Sequence, residues 1–78
     1  MGKILLTEQI VGMTAMSQGG AVTGTVDDLV IDTETGEIRY LLIRTSGHLL
    51  PGKMVDGKGR MVVAYNNVVI TGSNLIFS

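Results

Sequence analysis

Five carboxylates lie close together in the first half of the chain and are the first candidates for chemistry: Asp27, Asp28, Asp32, Glu34 and Glu37. A cluster of this kind could attract a cation. The stretch from Asp32 to Thr35, however, does not supply the alternating ligands and the distal glutamate of a calcium loop. We therefore interpret these residues as solvated turn residues and predict no metal site.

Acid–base and nucleophilic catalysis lack their usual residues. His48 is the single histidine and is predicted to lie in a glycine-flanked loop, with no Ser, Asp or Cys motif around it. One histidine without any cysteine cannot build a structural zinc site. Because catalysis needs a nucleophile, an acid–base pair or a metal, the sequence predicts a protein that is not an enzyme and has no cofactor.

Phosphate and nucleic-acid binding are also poorly supported. The glycines of Gly19-Gly20-x-x-x-Gly24 are not followed by a helix that could aim amides at a phosphate, so we predict a hairpin turn there. Lys53, Lys58 and Arg60 form the only basic grouping, and the chain has three aromatic residues and a net charge of −1. Stacking surfaces for single-stranded nucleic acid need more than this, so we predict no nucleic-acid partner.

The composition favours a small self-associating domain. The 78 residues are 45% apolar and include no cysteine, and no apolar run approaches the roughly 20 residues that span a bilayer. We therefore expect a cytoplasmic protein without direct membrane insertion. Self-association is the stabilising device that remains for so small a scaffold.

Charge is unevenly distributed, with a net −4 in residues 1–40 and +3 in residues 41–78. Two interpretations stay open: oppositely charged loops on one domain, or an acidic end that meets a basic end between subunits or partners.

Glycine-marked turns separate short apolar segments and predict an all-β chain. Residues 7–12 can form at most one helical turn, and residues 53–55 are a possible short strand. A bulge is expected at Asp27-Asp28, and Gly36 is expected to take positive φ in a bulged hairpin turn. The predicted strands are residues 13–16, 22–32, 38–45, 61–64, 68–71 and 74–77. This pattern predicts a small antiparallel β-barrel of about six short strands.

The order of motifs resembles the PRC-barrel family, the β-barrel of the photosynthetic reaction-centre H subunit and the ribosome-maturation factor RimM. The motifs are Gly12-Met13, residues 24–32, Gly36, the strand to Ile43, residues 60–68 and Leu75-Ile76-Phe77. The chain looks most like the free-standing single-domain proteins of archaea, so residues 1–78 are expected to form one PRC-barrel domain. Ala64 stands where the family often has proline before the aromatic residue, which should loosen that turn slightly.

The resemblance implies a non-enzymatic adaptor in archaeal cell division. In that role the protein would reach the tubulin-like FtsZ ring through a SepF-type membrane anchor and be recruited to the division site. Its partners would be a second copy, a paralogous PRC-barrel protein and the SepF-type protein. The alternative is an RNA-metabolism or ribosome-assembly factor by analogy with RimM, which carries a second domain. A small-ligand carrier is a third possibility, although so small a barrel should be filled by side chains.

The strand at residues 38–45 is apolar on both sides. A small domain has one interior, so this suggests that one side packs in the core and the other is covered by a partner. Simple alternation places Ile38, Tyr40 and Leu42 on one face, which we predict to be the core. The other face carries Arg39, Leu41 and Ile43, and Val30 is out of phase with its neighbours on the adjoining strand. We therefore predict a homodimer or partner interface at these four residues: Val30, Arg39, Leu41 and Ile43.

Methionines add a further candidate for adaptable binding, with core or interface packing as the alternative. The four concerned lie near predicted strand ends: Met13, Met16, Met54 and Met61.

Overall fold

One β-sheet organises the part of the chain that the computed structural model describes, which is residues 7–20, 22–45 and 54–78. The predicted all-β class is confirmed. A single helical turn, α1 (Thr7–Ile10), precedes the sheet, and a three-residue 3-10 helix (Tyr65–Asn67) occupies a predicted turn. The strands are β1 (Thr14–Ser17), β2 (Thr23–Ile31), β3 (Ile38–Thr45), β4 (Met54–Val55), β5 (Met61–Ala64), β6 (Val68–Thr71) and β7 (Asn74–Phe77).

The strand order across the sheet is β4-β5-β3-β2-β1-β7-β6. The count of seven agrees with the prediction of about six strands, and the seventh is β4, the possible short strand at residues 53–55, which pairs with β5. The predicted antiparallel arrangement is corrected at one pair, because β1 and β7 are parallel. These two strands lie far apart in the chain and need no tight turn between them, so either direction was open to them. Among the described residues β4 and β6 are not paired with each other, so the sheet is not closed.

The inner face of the sheet carries the hydrophobic core. Strands β1 and β7 alternate exposed and buried residues, as expected of strands with one face turned inward. Ser17 is buried among apolar side chains, and its hydroxyl accepts a hydrogen bond from the Val22 amide at 2.9 Å. The buried core consists of Ile10, Ala15, Val22, Val26, Leu41, Ile43, Met61, Val63, Leu75 and Phe77.

Two bulges set which side chains of the β2–β3 hairpin face the core. On β2, Val26 pairs with Ile43 and Asp28 with Leu42, which leaves Asp27 as an extra residue and confirms the predicted bulge. On β3, Tyr40 pairs with Val30 and Ile38 with Ile31, which leaves Arg39 as a second extra residue. Each extra residue shifts the alternation of its strand by one position.

The predicted assignment of the two faces of β3 is therefore wrong. Leu41 and Ile43 are completely buried, whereas Tyr40 is 45% exposed. Leu42, placed in the core by simple alternation, lies on the opposite side from Leu41 and retains 9% exposure. The physical reason is the bulge at Arg39: Ile38 still packs against the core, but the alternation restarts one residue later.

The β2–β3 turn is built as predicted. The Gly36 amide donates to the Asp32 carbonyl at 2.7 Å, and the Asp32 carboxylate accepts the Glu34 amide at 2.9 Å. Gly36 has φ +77°, a value that favours glycine because a Cβ would crowd the neighbouring carbonyl. The predicted positive φ is thus confirmed.

Replacing Gly36 by valine should destabilise the protein by about 1–2 kcal/mol. No atom lies within 4 Å of a Cβ built at this position, so the cost comes from the backbone conformation alone. Gly36→Asn is the matched control and should cost less, because asparagine tolerates the left-handed region. Urea unfolding measures both variants; equal stability of Gly36→Val and the wild type would contradict the turn geometry.

Candidate interaction surface

Apolar side chains continue on the outer side of the sheet, opposite the core. The strand registers arrange them in two rows across neighbouring strands, Val30–Tyr40–Ala64 and Leu42–Val62–Met54. Tyr40 is 45% exposed and Met54 73% exposed. We call these six residues the outer face. Because the inner face already fills the core, the outer face is apolar surface beyond what the core requires.

The bulges explain how this surface arises. The extra residue Asp27 places Asp28 and Val30 outside while Leu29 packs against the core. The extra residue Arg39 turns Tyr40 and Leu42 to the same outer side. Without the bulges, simple alternation would place Val30 and Tyr40 in the core.

The structure divides the four predicted interaction residues into two groups. Val30 is 41% exposed on the outer face, and the Arg39 side chain is 52% exposed at the bulge. Leu41 and Ile43 lie in the core and face away from this surface. Sequence reasoning missed Tyr40, Val62 and Met54 as surface neighbours; of these, only Met54 carried a signal, as one of the methionines proposed for adaptable binding.

Ion pairs occupy the end of the sheet where β3 finishes and β5 begins. Arg60, whose side chain is only 12% exposed, contacts Asp27 at 2.8 Å and Asp56 at 2.8 Å. Arg44 contacts the same Asp27 at 3.2 Å. These four residues form an alternating chain of charges that connects the β2 bulge to the β4–β5 turn. The Arg60 guanidinium is therefore engaged within the domain.

The other end of the hairpin is acidic. Arg39 contacts Asp32 at 2.8 Å, so these two charges offset each other. Glu34 and Glu37 carry the remaining charge, and within the described residues neither carboxylate forms an ion pair. The outer face thus lies between an acidic turn and an end where Arg44, Lys58 and Arg60 outnumber Asp27 and Asp56 by one positive charge.

Three of these carboxyl groups have a lowered pKa. Hydrogen bonds from Arg60 and then Arg44 lower the pKa of Asp27, and a hydrogen bond from Arg39 lowers that of Asp32. Desolvation raises the pKa of Asp56, but its hydrogen bonds with the Arg60 amide and side chain outweigh this and leave it lowered. Each shift means that the folded protein favours the ionised carboxylate.

Acid should therefore weaken the fold. A carboxyl group whose pKa is lower in the folded state stabilises the protein above its unfolded value of 3.8, and this contribution is lost as the pH falls through the folded value. We expect the thermal midpoint to fall below about pH 4, where these groups begin to protonate. Thermal unfolding followed by circular dichroism between neutral and strongly acidic pH measures this.

Arg60→Met tests the cause, because it removes the arginine partner of Asp56 and the nearer of the two arginine partners of Asp27. Its midpoint should be lower at neutral pH, and the further loss in acid should be smaller than in the wild type. Lys58→Met is the matched control: it removes an exposed charge outside the network and should keep the wild-type acid dependence. An Arg60→Met variant with an unchanged acid profile would contradict the conclusion that the contacts of Arg60 lower the pKa of Asp27 and Asp56.

Among the described residues, no three His, Cys, Asp or Glu side chains are placed to hold a metal ion. His48 and Lys53 lie outside the described residues. Within the same ranges, no helix is long and apolar enough to cross a membrane.

A small all-β domain whose outer face is apolar and bordered by charge has the architecture of a binding module. The family model for the PRC-barrel domain matches residues 4–76, and the chain belongs to this family. A comparison with curated proteins gives no significant match.

Proposed function

We propose that this PRC-barrel chain is a non-enzymatic protein–protein interaction module that binds through its outer face. The observation that carries the proposal is the exposed row of Val30 and Tyr40 beside Val62 and Met54, on a sheet whose other side already fills the core. Contiguous apolar surface of this kind marks binding sites in soluble domains.

A second copy, or a paralogous PRC-barrel protein, is the partner that the charges favour. In a two-fold face-to-face dimer with antiparallel β3 strands, the acidic turn of one subunit meets the opposite end of the other. Glu34 and Glu37 would then lie near Lys58 and Arg44 of the partner subunit. This arrangement uses the unequal charge of the two halves of the sequence.

A stable dimer must bury a definite share of the surface of each subunit. A stable interface buries about 800 Å² per partner, roughly 15% of the 5277 Å² accessible surface of the chain. The apolar rows would supply the centre of the interface and the charged ends its rim.

The cellular role follows from the resemblance to free-standing archaeal PRC-barrels. On that basis the module is an adaptor in cell division that is recruited to the membrane-bound division site through a SepF-type anchor and so reaches the FtsZ ring. The RimM-like alternative gains less support, because the Arg60 guanidinium is held by Asp27 and Asp56 rather than presented to phosphate.

Self-association is tested by Val30→Lys against the control Val69→Lys. Both valines are exposed, but Val69 lies on β6 in the other half of the sheet. Val30→Lys places like charges at the two-fold interface and should weaken the dimer at least about tenfold in sedimentation or light scattering, while Val69→Lys should behave as wild type. A wild-type protein that stays monomeric at high micromolar concentration would contradict the proposed dimer.

The cellular role needs a separate experiment. Affinity purification of the tagged protein from its native organism should recover division proteins, including a SepF-type protein. Recovery of ribosome-assembly factors with salt-sensitive RNA binding would instead support the RimM-like alternative.

A further inference from the structure

An open cleft lies beside the β2–β3 turn, at the end of the sheet away from the Arg60 network. One wall comes from the turn and the start of β3, and the other from the end of β5 and the 3-10 helix. Its lining residues are Gly36, Glu37, Ile38, Arg39, Tyr40, Ala64, Tyr65 and Asn66. Two of the three aromatic residues of the chain therefore lie in one cleft.

The backbone along one side of this cleft is not paired. Strand β5 pairs with β3 only from Tyr40 to Ile43, because β5 ends at Ala64 and the chain turns into the 3-10 helix. Ile38 and Arg39 consequently have no ladder partner on that side among the described residues. The bulge at Arg39 lies at this position, as bulges often do beside binding sites.

Hydrogen-bond donors in the cleft are also unused. Within the described part of the chain, the side chains of Tyr40, Tyr65 and Asn66 form no hydrogen bond with another protein group, so their donors are open to a ligand. Arg39 donates Nε and Nη2 to Asp32 and keeps Nη1 free. The cleft thus combines aromatic rings with donors that lack acceptors.

Charge at the rim restricts what can enter. Arg39 offsets Asp32, so Glu34 and Glu37 leave this end of the domain with two uncompensated negative charges. A ligand with a basic group is favoured by this rim, and an acidic one is disfavoured.

We propose that the cleft binds an extended, proline-containing segment of a partner protein with a flanking lysine or arginine. Prolines lack the N–H donor, so such a segment presents carbonyl oxygens without competing donors, and it is already extended before it binds. Tyrosine and Asn66 donors match those carbonyls, the tyrosine rings pack against proline rings, and the basic residue pairs with Glu37. Tyr40, Ala64 and Glu37 also belong to the proposed dimer interface, so the peptide and a second copy would compete for this surface.

The direct test is titration of the full chain with a fluorescent peptide of alternating prolines and leucines preceded by two arginines. Amide signals of Gly36, Arg39 and Asn66 should shift in NMR spectra of the wild-type protein, while those of Val69 and Ile76 on the far strands should not. The same peptide with every proline replaced by alanine should bind at least about tenfold more weakly, since it lacks the preformed extended shape. Equal binding of the two peptides would instead indicate addition of a strand to the open edge of β3 and overturn the proposal.

Cleft variants locate the contacts. Tyr40→Ala should weaken peptide binding about 3- to 10-fold by loss of the ring contact. Glu37→Lys should weaken it up to about 5-fold at low salt, with the difference shrinking as salt is added. Asp28→Lys is the control, because it reverses an exposed acid on the same hairpin outside the cleft.

Val30→Lys separates this proposal from the proposed dimer. Because the dimer would cover Tyr40 and Ala64, the variant should bind the peptide at least as tightly as the wild type when it no longer self-associates. A monomeric Val30→Lys protein that shows no shifts in the cleft at millimolar peptide would overturn the cleft proposal, while loss of self-association in the same variant would leave the dimer standing.

Discussion

Leu41→Asp should unfold the protein at room temperature. Leu41 has no exposed surface and lies between Leu29 on β2 and Val63 on β5 at the centre of the sheet. A carboxylate there would have no partner, and burying it costs several kcal/mol against a total stability of about 5–15 kcal/mol. A domain of this length lies at the low end of that range. Circular dichroism and urea unfolding would show the loss of the cooperative transition.

Tyr40→Asp is the matched control, one residue away on the same strand. Because Tyr40 is 45% exposed on the outer face, the new carboxylate remains hydrated, and a change within about 1 kcal/mol is expected. Leu42→Asp should fall between the two, since Leu42 is 9% exposed but belongs to the outer side. A stable Leu41→Asp beside an unfolded Tyr40→Asp would show that the register of β3 is off by one.

Gly24→Val should have the second-largest effect. A Cβ at this position would collide with the Arg44 carbonyl oxygen and come within 3.0 Å of the Ile43 Cγ2. The first of these atoms belongs to the backbone of β3 and cannot move without separating the paired strands. We expect a loss of about 3 kcal/mol, the upper end for overpacking a well-packed site. Urea unfolding measures it.

Gly57→Ala is the control for this substitution. Nothing lies within 4 Å of a Cβ at Gly57, so the change should alter stability by less than about 1 kcal/mol. A Gly24→Val protein as stable as Gly57→Ala would mean that β2 and β3 are less closely apposed than the structure shows.

Local signals predicted much of the hairpin at the centre of the fold. The turn from Asp32 to Gly36 was predicted because aspartate bonds its own backbone and glycine takes positive φ. The bulge at Asp27 was predicted because two adjacent acids interrupt an apolar alternation. Both features depend on residues that are adjacent in the sequence, so they could be predicted without knowledge of distant contacts.

The second bulge left no such signal. Arg39 stands between apolar residues and has neither a glycine nor a turn motif beside it. Both possible faces of β3 are largely apolar, so either phase satisfied the hydrophobic pattern. The parallel pairing of β1 with β7 was missed for a related reason, because it joins residues sixty positions apart in the chain.

The candidate site was predicted only in part. Val30 was identified because it is out of step with the apolar residues beside it, and Arg39 because it is a charge on an apolar strand. Tyr40, Val62 and Met54 become neighbours of Val30 only through the pairing of four strands. The charge imbalance between the two halves is partly cancelled by contacts across them, since Asp27 pairs with both Arg44 and Arg60. The acidic turn with Glu34 and Glu37 is what remains.

Taken by itself, the sequence determined the positions of most strands, the β2–β3 turn and the all-β class, because turn residues and apolar runs act over a few residues. Only the tertiary structure decided which side of β3 faces the core. Side chains alternate with a period of two, so one extra residue reverses every later side chain. Where that residue is accommodated depends on the partner strands, and here the pairing of Ile38 with Ile31 and Leu41 with Leu29 leaves Arg39 unpaired and turns Tyr40 outward.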